Sequence, residues 1–451
     1  MTATRIPPHI PPQEKVRFGL TYLRKAVNCV PLTWPRAMYE EDVYVPPIPG
    51  LVHVMEPEAV ARVLSGGDGA FGQAELLRRV LRPIWRKGIA VAQDEDWRWQ
   101  RRAVAPAFTP AASAQVVPHA NAASARIVSN WSGEPATREL FGPLGDTAAH
   151  VVIDALLDGI GDEEARDIIL RHGASLTHDL RRLNPADMMH LPEWMRALTG
   201  RTGREAASQL RAALMPLMED RLTHPRSAGS LPGLLARAAD SESGRKLDAE
   251  RAGDLLTGSM AAGRETTALA LSWTLWLLAL FPDDQERLRD EILRVAGDAP
   301  LEARHVEALD GVRAAIMESM RLYPPAPAHL RDCLRDTELC GVRIRKGTLV
   351  TIPLYAVHRH RKLWEEPDAF RPERFAGMAI TDKALRGRYT PFGGGPRICL
   401  GMHFAMAEMV TVTANLLRAF RFDEVPGFEP GFAVGAGFYP KDGLKVTVTP
   451  L

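Results

Sequence analysis

Hydrophobic residues follow helical patterns over most of the chain between Pro57 and Leu322. Glycine or proline interrupts the patterns at four places, which are Gly66–Gly67, Gly88, Pro185–Pro192 and Pro225–Gly233. Helices usually end at such residues, because proline cannot continue a helix and glycine favours its end. The sequence therefore predicts a large helical body built from several helices.

The hydrophobic pattern changes on both sides of this helical body. Residues 1–50 are rich in proline and lead into a predicted short strand at Leu51–Met55. Further along, apolar and basic residues alternate within Leu339–Arg345, and β-branched residues dominate Thr348–Ile352. Because Lys346–Gly347 supplies a turn between these two segments, we predict that they form a β-hairpin.

A long stretch without a regular pattern follows, from His358 to Gly395, and it contains several prolines. A helix is predicted from just after Cys399 to about Ala419, and short strands are predicted within Gly435–Leu451. An irregular stretch of this length inside a compact chain is typical of a functional segment that wraps over a bound group. We expect that group to be a cofactor, and we predict a fold that is mainly α with a smaller β portion (α+β).

The composition is that of a soluble globular protein, with 451 residues, 46% hydrophobic and 25% charged. The 56 basic and 55 acidic residues give a net charge of +1, which provides no general attraction to nucleic acid or membranes. The longest apolar run, Ala268–Phe281, is shorter than the ~18–20 residues that span a bilayer, and the N-terminus has no signal sequence. We therefore expect a cytoplasmic protein without a membrane anchor. We find no internal repeat and predict one domain over residues 1–451, with 1–50 as an N-terminal segment and 51–451 as the cofactor-containing body.

One of the four cysteines lies in a distinctive segment. Four are too few for a disulfide framework, and their spacing fits no zinc site, so Cys29, Cys333 and Cys340 are interpreted as small buried hydrophobic residues. Cys399 belongs instead to the segment Phe392-Gly393-Gly394-Gly395-Pro396-Arg397-Ile398-Cys399-Leu400-Gly401.

The residue types in this segment favour a ligand-binding loop. Its glycines allow positive φ and let the backbone approach a ligand closely. Backbone N–H groups near the following helix, which begins at Met402, favour a thiolate at Cys399 over a thiol. Arg397 supplies positive charge for an anionic group, and Phe392 can pack beside the sulfur. A passive cysteine in a turn does not require this combination, and a phosphate loop would follow a strand and precede Lys-Ser/Thr.

The segment resembles the haem-binding loop of the cytochrome P-450 superfamily, the haem-thiolate monooxygenases, in their soluble bacterial type. The resemblance implies the fold of that family, with a long central helix over haem b (iron protoporphyrin IX). It implies that Cys399 is the axial ligand of the haem iron and that Phe392, Gly393, Arg397 and Gly401 are cofactor-binding residues. A thiolate ligand pushes electron density onto the iron and favours cleavage of the O–O bond.

A long helical segment upstream carries a second motif. Ala249–Phe281 contains 33 residues without proline, or about 50 Å of helix, and includes Ala262-Gly263-Arg264-Glu265-Thr266-Thr267. Glycine and threonine in mid-helix cost stability, and a threonine hydroxyl can compete for a backbone carbonyl. The motif resembles the acid–threonine pair of the family, which implies that Glu265 and Thr266 relay protons and that Ala262 lies against the haem. Arg264 departs from the histidine that is frequent there in related bacterial enzymes.

Three further residues look like the buried Glu-Arg-Arg network of the family. Glu318 and Arg321 are three apart on one predicted helix, so their side chains share a face. Arg374 follows in the irregular stretch. The resemblance implies a structural role, in which these residues hold the chain that presents Cys399.

Several side chains fit the carboxylates of a haem. Trp97 and Arg101 are four apart on a predicted helix and share a face, and the family uses such a pair on a haem propionate. Arg331 and Arg397 would supply further charge, because a guanidinium binds a carboxylate with two hydrogen bonds. His358 is interpreted as a structural residue.

The reaction implied by the resemblance places one atom of dioxygen in a hydrophobic small-molecule substrate and releases the other as water. The chain has no flavin or nicotinamide fingerprint, so a separate electron donor is expected, namely ferredoxin and ferredoxin reductase. No nucleic acid is expected as a partner, and the protein is expected to be a monomer.

A run of basic residues either docks an acidic partner or is a solvated helix face: Arg78, Arg79, Arg82, Arg86, Lys87, Arg98 and Arg102. Substrate contacts are expected by analogy from a loop at Phe71–Trp85, from Asp187–Leu198 with Met188, Met189 and Met195, from Met260–Ala262, from Ala326–Leu330 and from Ala436–Phe438.

Two alternatives remain at the level of sequence. A haem-thiolate enzyme that uses peroxide or rearranges an oxygenated substrate would need no reductant, although the Glu265–Thr266 pair argues against it. A non-catalytic haem sensor would bind carbon monoxide without consuming reductant.

Overall fold

The computed structural model describes residues 5–14, 25–26, 28–157, 159, 163–180, 201–225, 227 and 231–451. The α-helices within these ranges are α1 (Pro57–Ser65), α2 (Glu75–Trp85), α3 (Asp94–Val104), α4 (Pro110–Ser113), α5 (Val116–Trp131), α6 (Phe141–Leu157), α7 (Glu163–Leu180), α8 (Arg201–Thr223), α9 (Leu231–Ala236), α10 (Ala249–Leu280), α11 (Pro282–Ala296), α12 (Ala303–Ala308), α13 (Asp310–Leu322), α14 (Leu354–Val357) and α15 (Met402–Ala419). Short 3₁₀ turns occur at Val30–Thr33, Arg36–Tyr39, Ala105–Phe108, Pro372–Phe375, Lys383–Leu385 and Gly395–Arg397. None of these helices is both long and apolar enough to cross a bilayer.

The helix α10 forms the centre of the helical body. The side chain of Asp248 accepts a hydrogen bond from the backbone N–H of Arg251 and so caps the first turn. Most of its residues are buried, because α6, α8 and α13 pack along it. Near its C-terminal end the ring of Trp273 stacks on Tyr323 with the ring centroids 4.1 Å apart. The predicted helix Ala249–Phe281 is thus confirmed to within one residue.

Within the described residues, the β portion comprises a five-stranded sheet, a three-stranded sheet and two strand pairs. The strands are β1 (Val43–Tyr44), β2 (Leu51–Val54), β3 (Phe71–Gln73), β4 (Ala136–Glu139), β5 (Ala328–Cys333), β6 (Thr337–Leu339), β7 (Val342–Ile344), β8 (Leu349–Pro353), β9 (Phe420–Glu424), β10 (Phe432–Val434), β11 (Phe438–Pro440) and β12 (Lys445–Pro450). The large sheet has the order β1-β2-β8-β5-β3, in which β2 and β8 are parallel. A second sheet has the order β4-β12-β9, and β6 pairs with β7 and β10 with β11.

The predicted hairpin is wrong in its pairing. Both strand segments exist, but β7 pairs with β6, while β8 lies between β2 and β5. The tight turn is at Cys340–Gly341, where both residues have positive φ, at 49° and 78°. Two positive φ values suit the turn of a two-residue hairpin. A cysteine rarely adopts this conformation, which is why the sequence did not reveal the turn.

The other predicted elements agree with the structure, but several strands were not predicted, namely β1, β3, β4, β5, β9, β10 and most of β6. The strand at Leu51–Met55 is β2, and the predicted C-terminal strands are β11 and β12. Within the segment predicted as helical, the chain also forms the short strands β3 and β4, which are held by distant partners in β5 and β12. The fold is mainly α with a smaller β portion, as predicted.

The irregular stretch from His358 to Gly395 is held by a buried ion-pair network. The Arg321 guanidinium contacts the Glu318 carboxylate at 2.7 and 2.8 Å, and both side chains are fully buried. Arg321 also donates to the backbone carbonyls of His358, Pro367 and Ala369 at 2.7 to 3.0 Å. The predicted third member, Arg374, donates to Glu318 at 3.3 Å. These contacts confirm the predicted geometry and fix a chain segment that has little regular structure.

Candidate functional site around Cys399

The glycine loop before Cys399 packs closely against helix α1. Gly393 and Gly395 have φ values of 79° and 65°, whereas Gly394 is extended. A Cβ at Gly395 would lie 2.5 Å from the carbonyl oxygen of Leu64. The prediction that glycines supply positive φ is confirmed at two of the three positions, and Gly395 is also required by the close approach to α1.

The Cys399 sulfur lies where the loop meets α15. The backbone N–H of Cys399 donates to the carbonyl of Phe392 at 2.9 Å, and the Gly401 N–H donates to the sulfur. The side chain is accessible to solvent yet surrounded by protein, so we interpret its accessible surface as facing an internal space. Burial raises the pKa of the thiol, while the Gly401 N–H and the charge of Arg101 lower it. The Gly401 N–H thus favours a thiolate, as expected, but desolvation outweighs it for the metal-free sulfur.

One face of α10 is accessible in the middle of an otherwise buried helix. Ala262 and Thr266 are exposed, although their neighbours Ala261, Glu265 and Thr267 are buried. The Thr266 hydroxyl donates to the Ala262 carbonyl at 2.7 Å, which confirms that it competes for a backbone acceptor. Positions four apart share a helix face, so Ala262 and Thr266 present a methyl group and a hydroxyl to the same space.

Glu265 lies on a different side of α10 from Thr266. Its carboxylate is buried and is 3.7 Å from the Arg264 guanidinium. Arg264 donates to Asp146 at 3.0 Å, and a Cβ at Gly145 would lie 3.2 Å from the guanidinium. Arg264, the departure noted in the sequence, therefore links α10 to α6 through its ion pair with Asp146, and Gly145 leaves room for it.

Arg397 links the loop to helix α3 and strand β3. It donates to the Gln73 side chain at 3.1 Å and to the Ala92 carbonyl at 2.9 Å. Its guanidinium lies 4.5 Å from the centre of the Trp97 ring, a favourable cation–π distance. The sequence paired Trp97 with Arg101, but the structure pairs Trp97 with Arg397. No local signal identifies Gln73, because it meets Arg397 only through the long-range pairing of β3 with β5.

Several guanidinium groups gather near this point. Burial lowers the pKa of Arg331, Arg101 and Arg397, to about 10 for Arg397. The charges of Arg331 and Arg78 lower the pKa of Arg397 further, and Asp94 raises it. Arg101 also interacts with Cys399. Sequence reasoning placed Arg78 only in the basic run and missed its position here.

The arrangement fits a haem. Buried cations are costly unless anions accompany them, and the two carboxylates of a haem would meet that need for Arg331 and Arg397. The Cys399 sulfur supplies a soft ligand of the kind that binds haem iron. The small accessible face at Ala262 leaves room for a flat ring beside α10.

The residues predicted to contact substrate differ in secondary structure and in burial. The segment Phe71–Trp85, expected as a loop, consists of β3 and α2. Met260 and Ala261 are buried in the core because their side of α10 packs against other helices. Phe438 is buried as well and stacks on Tyr355 with the ring centroids 5.1 Å apart. Asp187–Leu198, with Met188, Met189 and Met195, lies outside the described residues.

Much of the basic run is neutralised by the chain's own carboxylates. The ion pairs are Arg78–Glu75, Arg86–Glu250, Lys87–Glu250, Arg98–Glu95 and Arg102–Asp240. These pairs weaken the interpretation of the run as a docking surface. His358 is fully buried and bonded to the backbone, which agrees with its predicted structural role.

The chain is similar to known proteins over most of its length. Residues 48–433 match the cytochrome P-450 family. The chain is 28% identical over 419 residues to cytochrome P-450 714C3 of Oryza sativa subsp. japonica, covering 89% of this chain and 80% of the relative. It is 28% identical over 408 residues to cytokinin hydroxylase of Arabidopsis thaliana, covering 88% of this chain and 78% of the relative. The crystal structure of the cytochrome P450DA heme domain superimposes with a TM-score of 0.83, at 22% identity, over 99% of this chain and 98% of that one.

The chain belongs to the cytochrome P-450 family. It has the fold of that family, its cofactor is haem (iron protoporphyrin IX), and it is a monooxygenase of the oxidoreductase class. Proteins of this family act on hydrophobic substrates and receive electrons from a redox partner.

Proposed function

We propose that this protein hydroxylates a bulky or long hydrophobic compound, such as a fatty acid, terpenoid or steroid. Electrons would come from a ferredoxin and its reductase, as in soluble bacterial-type members of the family. The observation that carries this proposal is the accessible Ala262–Thr266 face in the middle of the buried helix α10. An aliphatic, hydroxyl-bearing surface of this kind suits an apolar substrate close to a site of proton transfer.

Cys399 is proposed as the axial ligand. When bound, haem supplies the iron chemistry that reduces dioxygen and transfers one of its atoms to the substrate. The chain's part is to hold the sulfur where the loop meets α15, with the Gly401 N–H as a hydrogen-bond donor to it. Bound iron would hold this sulfur as a thiolate despite its raised pKa, because a thiol that coordinates a metal releases its proton to solvent.

Trp97, Arg101, Arg331 and Arg397 are proposed to bind the haem propionates. Arg331 and Arg397 are buried or partly buried guanidinium groups that can each meet a carboxylate with two hydrogen bonds. Trp97 orients Arg397 by packing against its guanidinium face. Phe392, Gly393, Gly401 and Ala262 are proposed to contact the porphyrin, because Gly393 and Gly401 lack side chains that would obstruct a flat ring.

Thr266 and Glu265 are proposed as the proton-transfer residues. The Thr266 hydroxyl donates to Ala262 and keeps its oxygen lone pairs available to accept a hydrogen bond. Glu265, one residue earlier and paired with Arg264, would supply protons to the Thr266 oxygen through a change of side-chain rotamer or through water. This arrangement favours dioxygen over peroxide as the oxidant, because only dioxygen activation requires delivered protons.

A spectral experiment tests the proposal. The protein, expressed with ample haem precursor, is expected to show the Soret band of a thiolate-ligated haem when reduced under carbon monoxide, and Cys399→Ala is expected to lose it. A screen of hydrophobic compounds against the ferric protein should then find ligands that change the iron spin state. Product formed with reduced ferredoxin supports the proposal, whereas product formed only with peroxide would replace it with a peroxygenase.

We propose that residues 1–451 form one haem-containing domain that acts as a monomer in the cytoplasm. The four cysteines are all free thiols, which suits a reducing compartment. Light scattering of the purified holoprotein measures its mass and so tests whether it is a monomer.

A further inference from the structure

Two histidines hold both hydrogen-bonding groups of the Thr390 backbone. The Thr390 N–H donates to Nε2 of His358 at 3.2 Å, and the Thr390 carbonyl lies 2.8 Å from Nε2 of His329. His358 is fully buried, and His329 is partly buried on β5. The two imidazoles come from separate parts of the chain and meet at one peptide unit of the segment that leads to Cys399.

The partners fix the proton positions on both rings. A backbone N–H can only donate, so Nε2 of His358 must be the unprotonated nitrogen. A carbonyl can only accept, so Nε2 of His329 must carry a proton. Burial is the largest cause that lowers the pKa of both histidines, to about 4 for His329 and well below 6.5 for His358. His358 is therefore neutral, with its proton on Nδ1.

The clamped residue begins the loop that carries the sulfur. The Thr390 carbonyl also accepts from the Gly393 N–H at 3.0 Å, and the Phe392 carbonyl accepts from the Cys399 N–H at 2.9 Å. A Cβ at Gly393 would lie 3.6 Å from the His329 ring, so the loop rests directly on this imidazole. Movement of Thr390 would thus displace the turn to which the Cys399 backbone is bonded.

Each histidine is itself held by rigid structure. The carbonyl of His358 accepts from Arg321 of the buried ion-pair network at 2.7 Å. The ring of Tyr389 lies 5.0 Å from the His358 ring, and its hydroxyl donates to the Met317 carbonyl at 2.7 Å. His329 lies within β5, which is paired on both sides by β3 and β8. Through the two rings, the position of Thr390 is therefore fixed relative to the sheet and to α13.

We propose that His329 and His358 are positioning residues that clamp Thr390 and thereby hold the Cys399 loop in the geometry in which its sulfur binds iron. This inference deepens the proposed function and rests on it. Neither histidine contacts the substrate or the reacting atoms in this proposal. Their effect reaches the sulfur through the Thr390–Gly393 and Phe392–Cys399 backbone hydrogen bonds.

The clamp predicts a specific response to acid. Protonation of Nε2 on His358 would place two donors against each other and break the bond to Thr390. His329 would keep its donor when protonated, so His358 is the sensitive member. The charged and titratable groups that interact with His358 are Arg321, Arg359 and His329, and the ring of Tyr389 lies against it. Arg331 interacts with His329. The three arginines oppose protonation, so the clamp is expected to persist well below neutral pH and then fail.

The test compares His329→Leu and His329→Gln with the wild-type holoprotein. Glutamine can still donate to the Thr390 carbonyl, whereas leucine cannot. We expect hydrogen exchange of the peptide that covers residues 390–399, followed by mass spectrometry, to be about tenfold faster in the leucine variant, since one hydrogen bond to a buried carbonyl is lost. Loss of the thiolate Soret band of the reduced, carbon monoxide-bound form on standing should accelerate to a similar degree. In the glutamine variant, both the hydrogen-exchange rate and the rate of Soret-band loss should stay close to the wild-type values.

His358→Gln gives a second, independent measurement. Its side-chain oxygen can accept from the Thr390 N–H but does not titrate, so the acid midpoint for loss of the thiolate Soret band should move to lower pH. His224→Gln, an exposed substitution distant in sequence from the loop, should leave exchange and midpoint unchanged. Wild-type exchange and band stability in both His329 variants, or an unmoved midpoint in His358→Gln, would overturn the clamp. A wild-type protein without the thiolate band would instead contradict the proposed function.

Discussion

The indole of Trp85, the last residue of α2, packs directly on Gly258 in the first half of α10. A Cβ at Gly258 would lie 2.1 Å from the indole nitrogen, so no other residue fits without moving Trp85. Gly258, Ala262 and Thr266 are four apart and share one face of the helix. Trp85 therefore covers this face at Gly258, one helical turn before the accessible residue Ala262. Helix α2 borders the space beside Ala262.

This contact predicts that Gly258→Ala displaces Trp85. Overpacking of this kind costs about 1–3 kcal/mol of unfolding free energy, and the displaced indole should also weaken substrate-induced changes of the iron spin state. Gly173 of α7 is a matched control, because no atom of the described residues lies within 4 Å of a Cβ there. Gly173→Ala should be neutral or stabilise by about 0.5–1 kcal/mol. Equal urea midpoints for the two variants would contradict the packing argument.

Arg397 is predicted to control retention of haem. Replacing it with glutamine removes its stacking on Trp97 and its contacts to Gln73 and Ala92. A charge-assisted hydrogen bond is worth about 1.5–3 kcal/mol, so transfer of haem to excess apomyoglobin should be roughly 10- to 100-fold faster. Arg98→Gln on the exposed side of α3 serves as the control. Identical transfer rates for both variants would argue against a propionate role for Arg397.

Glu318→Gln should be among the most destabilising single changes in the chain. It removes the charge that compensates Arg321, which is fully buried and cannot lose its proton. Breaking a buried pair in this way costs about 3–5 kcal/mol. Urea unfolding followed by tryptophan fluorescence measures the change, and the exposed Glu302→Gln, which also breaks an ion pair, should alter stability by less than about 1 kcal/mol. Similar midpoints for the two variants would mean that the network contributes little.

The sequence revealed those features whose partners are close in the chain. Glu318 and Arg321 are one helical turn apart, and the glycines before Cys399 serve a local backbone conformation. The Gln73–Arg397 contact joins residues 324 positions apart and depends on the order of the sheet, which no local pattern specifies. The effect of burial on the pKa of Cys399 was not predicted for the same reason, because burial comes from the whole fold while the Gly401 N–H is two residues away.

Thr266→Ala is predicted to separate electron consumption from product formation. Removing the hydroxyl frees the Ala262 carbonyl but leaves the accessible face and the haem contacts in place. Product formed per electron pair should fall about tenfold or more, since positioned proton transfer contributes 10²–10⁴-fold, while reductant continues to be consumed and peroxide accumulates. Thr266→Ser keeps the oxygen and should retain most of the wild-type yield. An unchanged product yield in the alanine variant would remove Thr266 from the proton path.

Acid is predicted to destabilise the fold through buried neutral histidines, of which His53 offers the clearest test. It lies on β2 with Nδ1 2.5 Å from the Thr351 hydroxyl and its ring stacked on Tyr44, and burial lowers its pKa to about 4. The unfolded chain takes up a proton near pH 6.5 that the folded chain resists until about pH 4. Stability should therefore be full above pH 6.5 and should fall as the pH drops from 6.5 to 4, by about 2 kcal/mol at pH 5. His53→Gln should reduce the difference between urea midpoints at pH 7.5 and pH 5, and the exposed His224→Gln should not; an equal pH dependence in both would show that His53 does not resist protonation in the folded protein.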